Sequence, residues 1–318
     1  MLDIDGSVNP LVSVIIVTHN RKDEVIECID SVLESSYQPI EAIVVDNASD
    51  DHTADELEDR YGQRIRLIKS KVNLYAGGGR NLGADSAGGE LLLFIDSDNV
   101  VDSEMIANLV GGLKENRPTN IGLCGPLTYY RKDPGRLCWV NSSISLLTSR
   151  SVFKGVGEED CGQYKDLDLI RVGHIPNAFM AKRDIFRMIQ GIDRDYVMHY
   201  EESDLAEKIK RLGYEIAIFP KAKIWHNVAL GIQLGHKSYK IGNLSMAYYV
   251  VRNRIFFMRK NSRGWRLFLF LACFSHIFLA YELAVLLFRG KIALFRPALK
   301  GYWDGLFIPL SKRTQAAG

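Results

Sequence analysis

The chain has 318 residues, 47% of them apolar and 25% charged, and a net charge of +2. This is an ordinary globular composition, large enough for one big domain or two smaller ones, and it excludes a repeat or low-complexity protein. The five cysteines (Cys28, Cys124, Cys138, Cys161 and Cys273) form no C-x-x-C pair and no metal spacing. They read as buried thiols in a reducing compartment.

The N-terminus carries neither a basic nor an apolar segment, so no cleaved signal peptide is expected. Charge is uneven along the chain. From Arg252 to the end there are twelve Lys/Arg and two Asp/Glu, a balance of +10. The preceding residues carry 28 Lys/Arg against 36 Asp/Glu, a balance of −8. A basic tail on an acidic body implies an anionic partner, either nucleic acid or a membrane surface.

Residues 12–17, VSVIIV, are a short continuous apolar run, the mark of a strand buried on both faces. The run ends at Thr18-His19-Asn20. A helix follows over about 22–35, with Val25, Ile29, Val32 and Leu33 on one face. A second strand, 41–45, ends at Asp46-Asn47. Asp50 can cap the next helix, which closes before Gly62. Residues 65–68 form a third short strand.

The glycine-rich stretch 73–83, NLYAGGGRNLG, leads into another helix. Then comes 91–98, LLLFIDSD, where an apolar strand stops at two aspartates separated by one serine. Side chains alternate along a strand, so Asp96 and Asp98 share a side, at the carboxyl edge where open α/β sheets bind ligands. Two carboxylates there suit a hard divalent cation that also holds phosphate oxygens; the plain alternative is a solvated acidic turn.

The glycines superficially match a dinucleotide fingerprint. They follow the third strand rather than the first, which argues against a standard dinucleotide site. Backbone amides at a helix start beside Arg80 would still favour a diphosphate, unless the glycines only let that helix pack closely on the sheet. Asp46 ends its strand at the same edge as Thr18 and Asp96, and a carboxylate there can accept from a nucleobase or a ribose hydroxyl.

Further on, the pattern predicts a helix over 104–115, a strand over 121–127 and an irregular insertion over 129–172. Residues 200–205, YEESDL, open a helix with three carboxylates in its first turn: Glu201, Glu202 and Asp204. They either complement the helix dipole or present a general base to the cleft. A strand over 215–219 precedes Pro220, and His226 after Ile224-Trp225 is a candidate metal ligand.

The segments VSVIIVTHNR, IVVDNASDD, NLYAGGGRNLGA, LLLFIDSDN, FMAKRDIF with GID, YEESDLAEKIKRLGY and YYVVRNRIFFMRK occur in this order over 12–260. Together they resemble the family 2 glycosyltransferases, most nearly the rhamnosyltransferase-like group. The resemblance implies an α/β GT-A fold, a mostly parallel sheet with helices on both faces. It also implies an inverting, Mg²⁺- or Mn²⁺-assisted transfer from a UDP-, dTDP- or GDP-linked sugar.

By the same resemblance Thr18, Asn20, Asp46 and Asn47 lie at the nucleobase and ribose. Gly78, Arg80 and Asn81 hold the nucleotide or diphosphate, and Asp96 sits near the ribose and metal. Asp98 ligates the metal with His226 close by. The family's base is the aspartate of a Glu-Asp pair with another aspartate two residues later. Here Glu202 stands in that place, so Glu202 and Asp204 are both left as candidates. Asn177 stands where the family commonly has a small glycine.

Residues 267–288 are apolar and long enough to span a bilayer. Ser275, Glu282 and Arg289 recur every seven residues, and basic residues flank both ends. Helices lying on anionic lipid are therefore expected rather than a simple span, and nucleic acid is not expected.

The expected organisation is a catalytic domain over 1–235, with a nucleotide half (1–110) and an acceptor half (111–235), followed by a membrane-associating region over 236–318. The expected function is transfer of a sugar to a glycan or lipid-linked acceptor at the cytoplasmic face of the membrane. A sugar nucleotidyltransferase, or a non-catalytic sugar-nucleotide-binding scaffold, are the alternatives.

Overall fold

The computed structural model describes residues 9–115, 120–228 and 243–310. The apolar runs form the centre of one ten-stranded sheet. Strands β1 (Val12–Thr18), β2 (Ile40–Asp46), β3 (Arg66–Lys69) and β4 (Leu91–Asp96) pair in parallel, in the order β4-β1-β2-β3.

Alternation along these strands feeds two cores. Val14, Ile16, Val44 and Leu93 pack against helices α1 (Lys22–Leu33), α2 (Thr53–Tyr61) and α4 (Met105–Glu115). Ile15, Ile43, Leu92 and Phe94 face α3 (Tyr75–Asp85), α5 (Arg183–Met188) and α6 (Glu201–Arg211).

The sheet becomes mixed beyond β4. The short strand β5 (Asn99–Val101) and strands β6 (Ile121–Tyr130), β7 (Asp133–Trp139) and β8 (Asn141–Ile144) come next in the chain. They are followed by β9 (Ser151–Lys154), β10 (Ile170–Arg171), β11 (Ala178–Lys182) and β12 (Glu215–His226). Strand β11 lies antiparallel between β4 and β6. It occupies residues for which the sequence pattern predicts no strand.

The predicted strand at 215–219 continues past Pro220 to His226. A register shift between Phe219 and Lys223 absorbs the proline, which a regular central ladder would not accept. The insertion over 129–172 contains β7 and the two-stranded pair β8–β9.

The glycine-rich stretch lies inside α3 rather than before it. A Cβ on Gly79 would lie 2.6 Å from Val17, and one on Gly83 would lie 2.5 Å from Ile15. The glycines let the helix press onto β1.

After residue 243 three helices form a third core: α7 (Leu244–Asn261), α8 (Gly264–Phe288, with a π-turn at Phe270–Phe274) and α9 (Phe295–Phe307). Gly301 of α9 lies against the backbone of Tyr248, so α7 and α9 touch main chain to main chain. Helix α7 also packs on Tyr196 and Tyr200 of the acceptor half. The boundary expected at 235/236 therefore divides, in sequence, pieces that share one core. Residues 229–242 lie outside the described residues.

Candidate active site

Strands β1, β2 and β4 end side by side, and their last residues carry polar groups. Thr18 is the register partner of Asp46. Both are buried, and Thr18 Oγ1 and Asp46 Oδ1 have no hydrogen-bond partner among the described residues. The other Asp46 oxygen accepts from the Ser49 amide at 3.2 Å. Two adjacent buried polar atoms left open are costly unless a ligand completes them.

The asparagines around them are occupied. Asn20 Oδ1 accepts from Asp50 N at 2.8 Å and shapes the loop after β2. Asn47 donates to Asn73 Oδ1 and Tyr75 O, and accepts from Leu74 N at 2.8 Å. Asn81 is paired with both backbone groups of Ile192, at 2.7 and 2.9 Å. Asn20, Asn47 and Asn81 therefore brace loops. The first two brace the loops beside Thr18 and Asp46, and Asn81 braces the 191–193 turn. Gly78 likewise packs on Leu74, where a Cβ would lie 2.9 Å away.

At the end of β4, donor atoms of Asp96, Asp98 and His226 lie within 4.8 Å of one another. His226 is brought there by β12, whose end pairs with Asn99 just beyond Asp98. Its Nε2 is 3.3 Å from Asp98 Oδ1, and Arg21 holds Asp98 Oδ2 at 2.6 Å. Burial opposes ionisation of Asp98, but His226 and Arg21 outweigh it and hold its carboxyl below the usual range. Two carboxylates and one imidazole are a donor set that suits Mn²⁺ or Mg²⁺. Arg21 was not singled out in the sequence; its only signal is its place directly after the first strand's THN end.

Arg80, 2% exposed, joins this cluster to the acidic helix. It donates to Asp96 Oδ1 at 2.5 Å and to Glu202 Oε1 at 2.8 Å, with Phe179 beneath the guanidinium. Burial would raise the pKa of Glu202, but Arg80 outweighs it and keeps the carboxylate below its usual range. Glu201 behaves oppositely. Burial, then the charge of Glu202, push its carboxyl well above the usual range, and its Oε2 has no hydrogen-bond partner.

Asp204 is a correction to the sequence reading. It is fully buried, and its two oxygens accept from Tyr196 Oη, Lys260 Nζ and Asn261 Nδ2 at 3.1, 2.6 and 2.9 Å. A carboxylate so enclosed presents no open oxygen to the cleft.

Glu202 instead faces a cavity of about 210 Å³ lined by Phe153, His174, His199, Glu201 and Arg254 among others. His174 Nδ1 also has no partner among the described residues, and burial lowers its pKa to about 4, so the ring is neutral. A larger cavity, about 640 Å³, lies beyond Asn81 and contains none of Asp96, Asp98 or Glu202. Of these three, only Glu202 is among the residues lining the smaller one.

Residues 13–163 match the sequence family described as Glycosyl transferase family 2. The chain is 36% identical over 216 residues to the amylovoran biosynthesis glycosyltransferase AmsB of Erwinia amylovora, covering 65% of this chain and 66% of that protein. It is 35% identical over 100 residues to the Escherichia coli UDP-Glc:alpha-D-GlcNAc-diphosphoundecaprenol beta-1,3-glucosyltransferase WfaP, covering 31% and 40%. For several other curated relatives the chain spans only 34–37% of their length. In fold it resembles the mannosyltransferase PcManGT of Pyrobaculum calidifontis, solved with GDP-Man and Mn²⁺. That likeness has a TM-score of 0.54 at 16% identity and covers 95% of this chain and 89% of that one.

Proposed function

The chain is a member of glycosyl transferase family 2 with the GT-A fold, and from that premise we propose that it is an inverting transferase. It would move a sugar from a nucleoside diphosphate to a hydroxyl of a glycan or lipid-linked glycan. The observation that carries this reading is the bridge made by Arg80. One buried guanidinium ties a metal-binding carboxylate, Asp96, to the base candidate, Glu202.

Thr18 and Asp46 offer a hydroxyl and a carboxylate oxygen to the nucleobase. Asp96, Asp98 and His226 would hold Mn²⁺ or Mg²⁺, which when bound neutralises charge on the departing diphosphate. Glu202, ionised beside Arg80, takes the acceptor hydroxyl proton as that oxygen bonds to the anomeric carbon. The bond from that carbon to the diphosphate breaks, and the nucleoside diphosphate leaves. Glu201, its carboxyl pushed well above the usual range by burial, and neutral His174 line the cavity where the acceptor would sit.

The lipid-linked acceptor is supported by the tail. Helix α8 is long and apolar enough to cross a membrane, and only 22% of its most apolar window is buried. Its polar stripe turns inward: Ser275 and Glu282 are buried, with Glu282 3.7 Å from Arg254. Trp265, Phe268, Phe288, Trp303 and Phe307 are exposed beside Arg263, Arg266, Arg289, Lys291 and Arg296. An aromatic surface rimmed by cations suits an anionic bilayer face and supports the reading of a peripheral or monotopic enzyme on the cytoplasmic side. WfaP, by name, acts on a diphosphoundecaprenol-linked sugar.

Calorimetric titration with UDP, dTDP and GDP, with and without Mn²⁺, tests the donor site. One nucleotide should bind only with metal, and Asp98→Ala should abolish that binding. Glu202→Gln should keep it while lowering turnover by about 10²–10⁴-fold. Full turnover in Glu202→Gln would remove Glu202 as the base.

A further inference from the structure

The segment leading into the base helix is held in an unusual conformation. Val197, His199 and Tyr200 all have positive φ, at 61°, 63° and 74°. None is glycine, and Val197 is β-branched, so this backbone persists only where its surroundings impose it. Left-handed residues turn their carbonyls out of any regular ladder. Here the carbonyls of Tyr196, Met198 and His199 converge on one side chain, the amide of Asn253 on α7. Asn253 Nδ2 lies 2.6, 2.6 and 3.2 Å from the three oxygens. Its Oδ1 accepts from Arg252 Nε at 2.8 Å, which fixes the orientation of the amide. Asn253 is completely buried.

Two turns further along α7 the same face grips α6 itself. Lys260 Nζ bridges Asp193 Oδ2 and Asp204 Oδ2, each at 2.6 Å, and Asn261 holds the other oxygen of Asp204. Phe257, between them, packs its ring 5.4 Å from that of Tyr200.

Residues two apart on a helix point to nearly opposite sides. Asp204 faces the α7 grip, while Glu202 faces Arg80. The helix start is thus fixed in rotation from both sides and fixed along its axis by the Asn253 amide.

We propose that Asn253 and Lys260 are positioning residues for Glu202. These two residues of YYVVRNRIFFMRK would set the base against the acceptor cavity and not touch substrate. The proposal rests on the reading of Glu202 as base, and its consequence is specific. Loosening the clamp moves a reacting carboxylate while leaving the donor pocket at β1, β2 and β4 intact. A displacement of about 1 Å at such a group costs on the order of 10²-fold in rate.

The test uses the full chain and two variants. Asn253→Asp puts oxygen against three carbonyls; Asn253→Ala leaves a gap that water can fill and is the fallback if the first does not fold. Wild type is assayed with UDP-glucose, UDP-GlcNAc and GDP-mannose in Mn²⁺, and the donor it consumes is used throughout. The expected result is a fall of about 10²-fold in kcat with donor KM within about twofold of wild type. Amide exchange should accelerate at 197–204 but not in β1, β2 or β4. Binding of the matching nucleotide with Mn²⁺ should be unchanged.

A folded variant with faster exchange at 197–204 and wild-type kcat overturns the proposal. So does a general loss of protection in which nucleotide binding and kcat fall together. Glu202→Gln assayed in parallel separates the two ideas. If it is inactive while Asn253→Ala has wild-type kcat, the clamp fails and the base stands. If it is active, the base fails and the clamp with it, whatever the exchange at 197–204 shows.

Discussion

Asp46 and Asp204 are both buried aspartates at element ends beside one cleft, and they have opposite surroundings. Asp46 keeps one oxygen unpartnered, next to the unpartnered hydroxyl of Thr18. Asp204 has both oxygens engaged by a tyrosine, a lysine and an asparagine. A protein tolerates an unsatisfied buried atom where a ligand completes it, and encloses a buried charge where it holds the fold together. Hydrogen-bond satisfaction, rather than residue type, divides the donor pocket from the clamp.

The largest effect should come from breaking the enclosed side. Lys260→Met leaves Asp193 and Asp204 buried without their shared cation. It should lower unfolding free energy by about 3–5 kcal/mol, read from urea melts at neutral pH. Adding Asp204→Asn to that variant should restore part of the loss, because the uncompensated charge is removed. A loss below about 1 kcal/mol would mean that the ion cluster is not what holds α6 to α7.

This division was only half legible in the sequence. The parallel core was readable because VSVIIV and LLLFID are unbroken apolar runs, which few structures other than buried strands accommodate. The polar strand ends Thr18, Asp46, Asp96 and Asp98 followed directly from where those runs stop. Strand β11 was not legible, because AFMAK is short and its antiparallel neighbours are set by tertiary pairing, not by its own pattern. Asp204 was ambiguous for a similar reason. The lysine and asparagine that enclose it lie 56 and 57 residues away, so nothing near EESD marks which carboxylate is engaged. Asn253, between Arg252 and Arg254, carries no signal of its own in the sequence, and only the fold supplies its partners.

The acceptor cavity offers a pH test of its own unsatisfied atom. Burial holds His174 at a pKa of about 4, against 6.5 when exposed, so the unfolded chain binds a proton that the folded chain resists. The stability that comes from keeping the ring neutral is complete above 6.5 and is lost as pH falls from 6.5 towards 4. Between pH 7 and pH 5 the loss should be about 2 kcal/mol. Urea melts at both pH values should show that difference shrinking in His174→Asn. An equal acid loss in the variant would place the proton uptake elsewhere.

The smallest expected effect is also the sharpest on the comparison, because it separates binding from stability at one atom. Thr18→Val keeps the shape of the side chain and removes a hydroxyl that has no partner among the described residues. Removing an unsatisfied buried polar group does not destabilise a fold and can stabilise it slightly. The same hydroxyl, if it completes a nucleobase, should be missed on binding by about 1 kcal/mol, several-fold in Kd for the preferred nucleotide with Mn²⁺. The expected signature is therefore a melting temperature equal to or above wild type together with weaker nucleotide binding. Unchanged affinity would mean that the open atom at the end of β1 is not a ligand contact. A fall in both quantities would mean that Thr18 has a structural partner, and that the donor pocket is less distinct from the clamp than its hydrogen bonding implies.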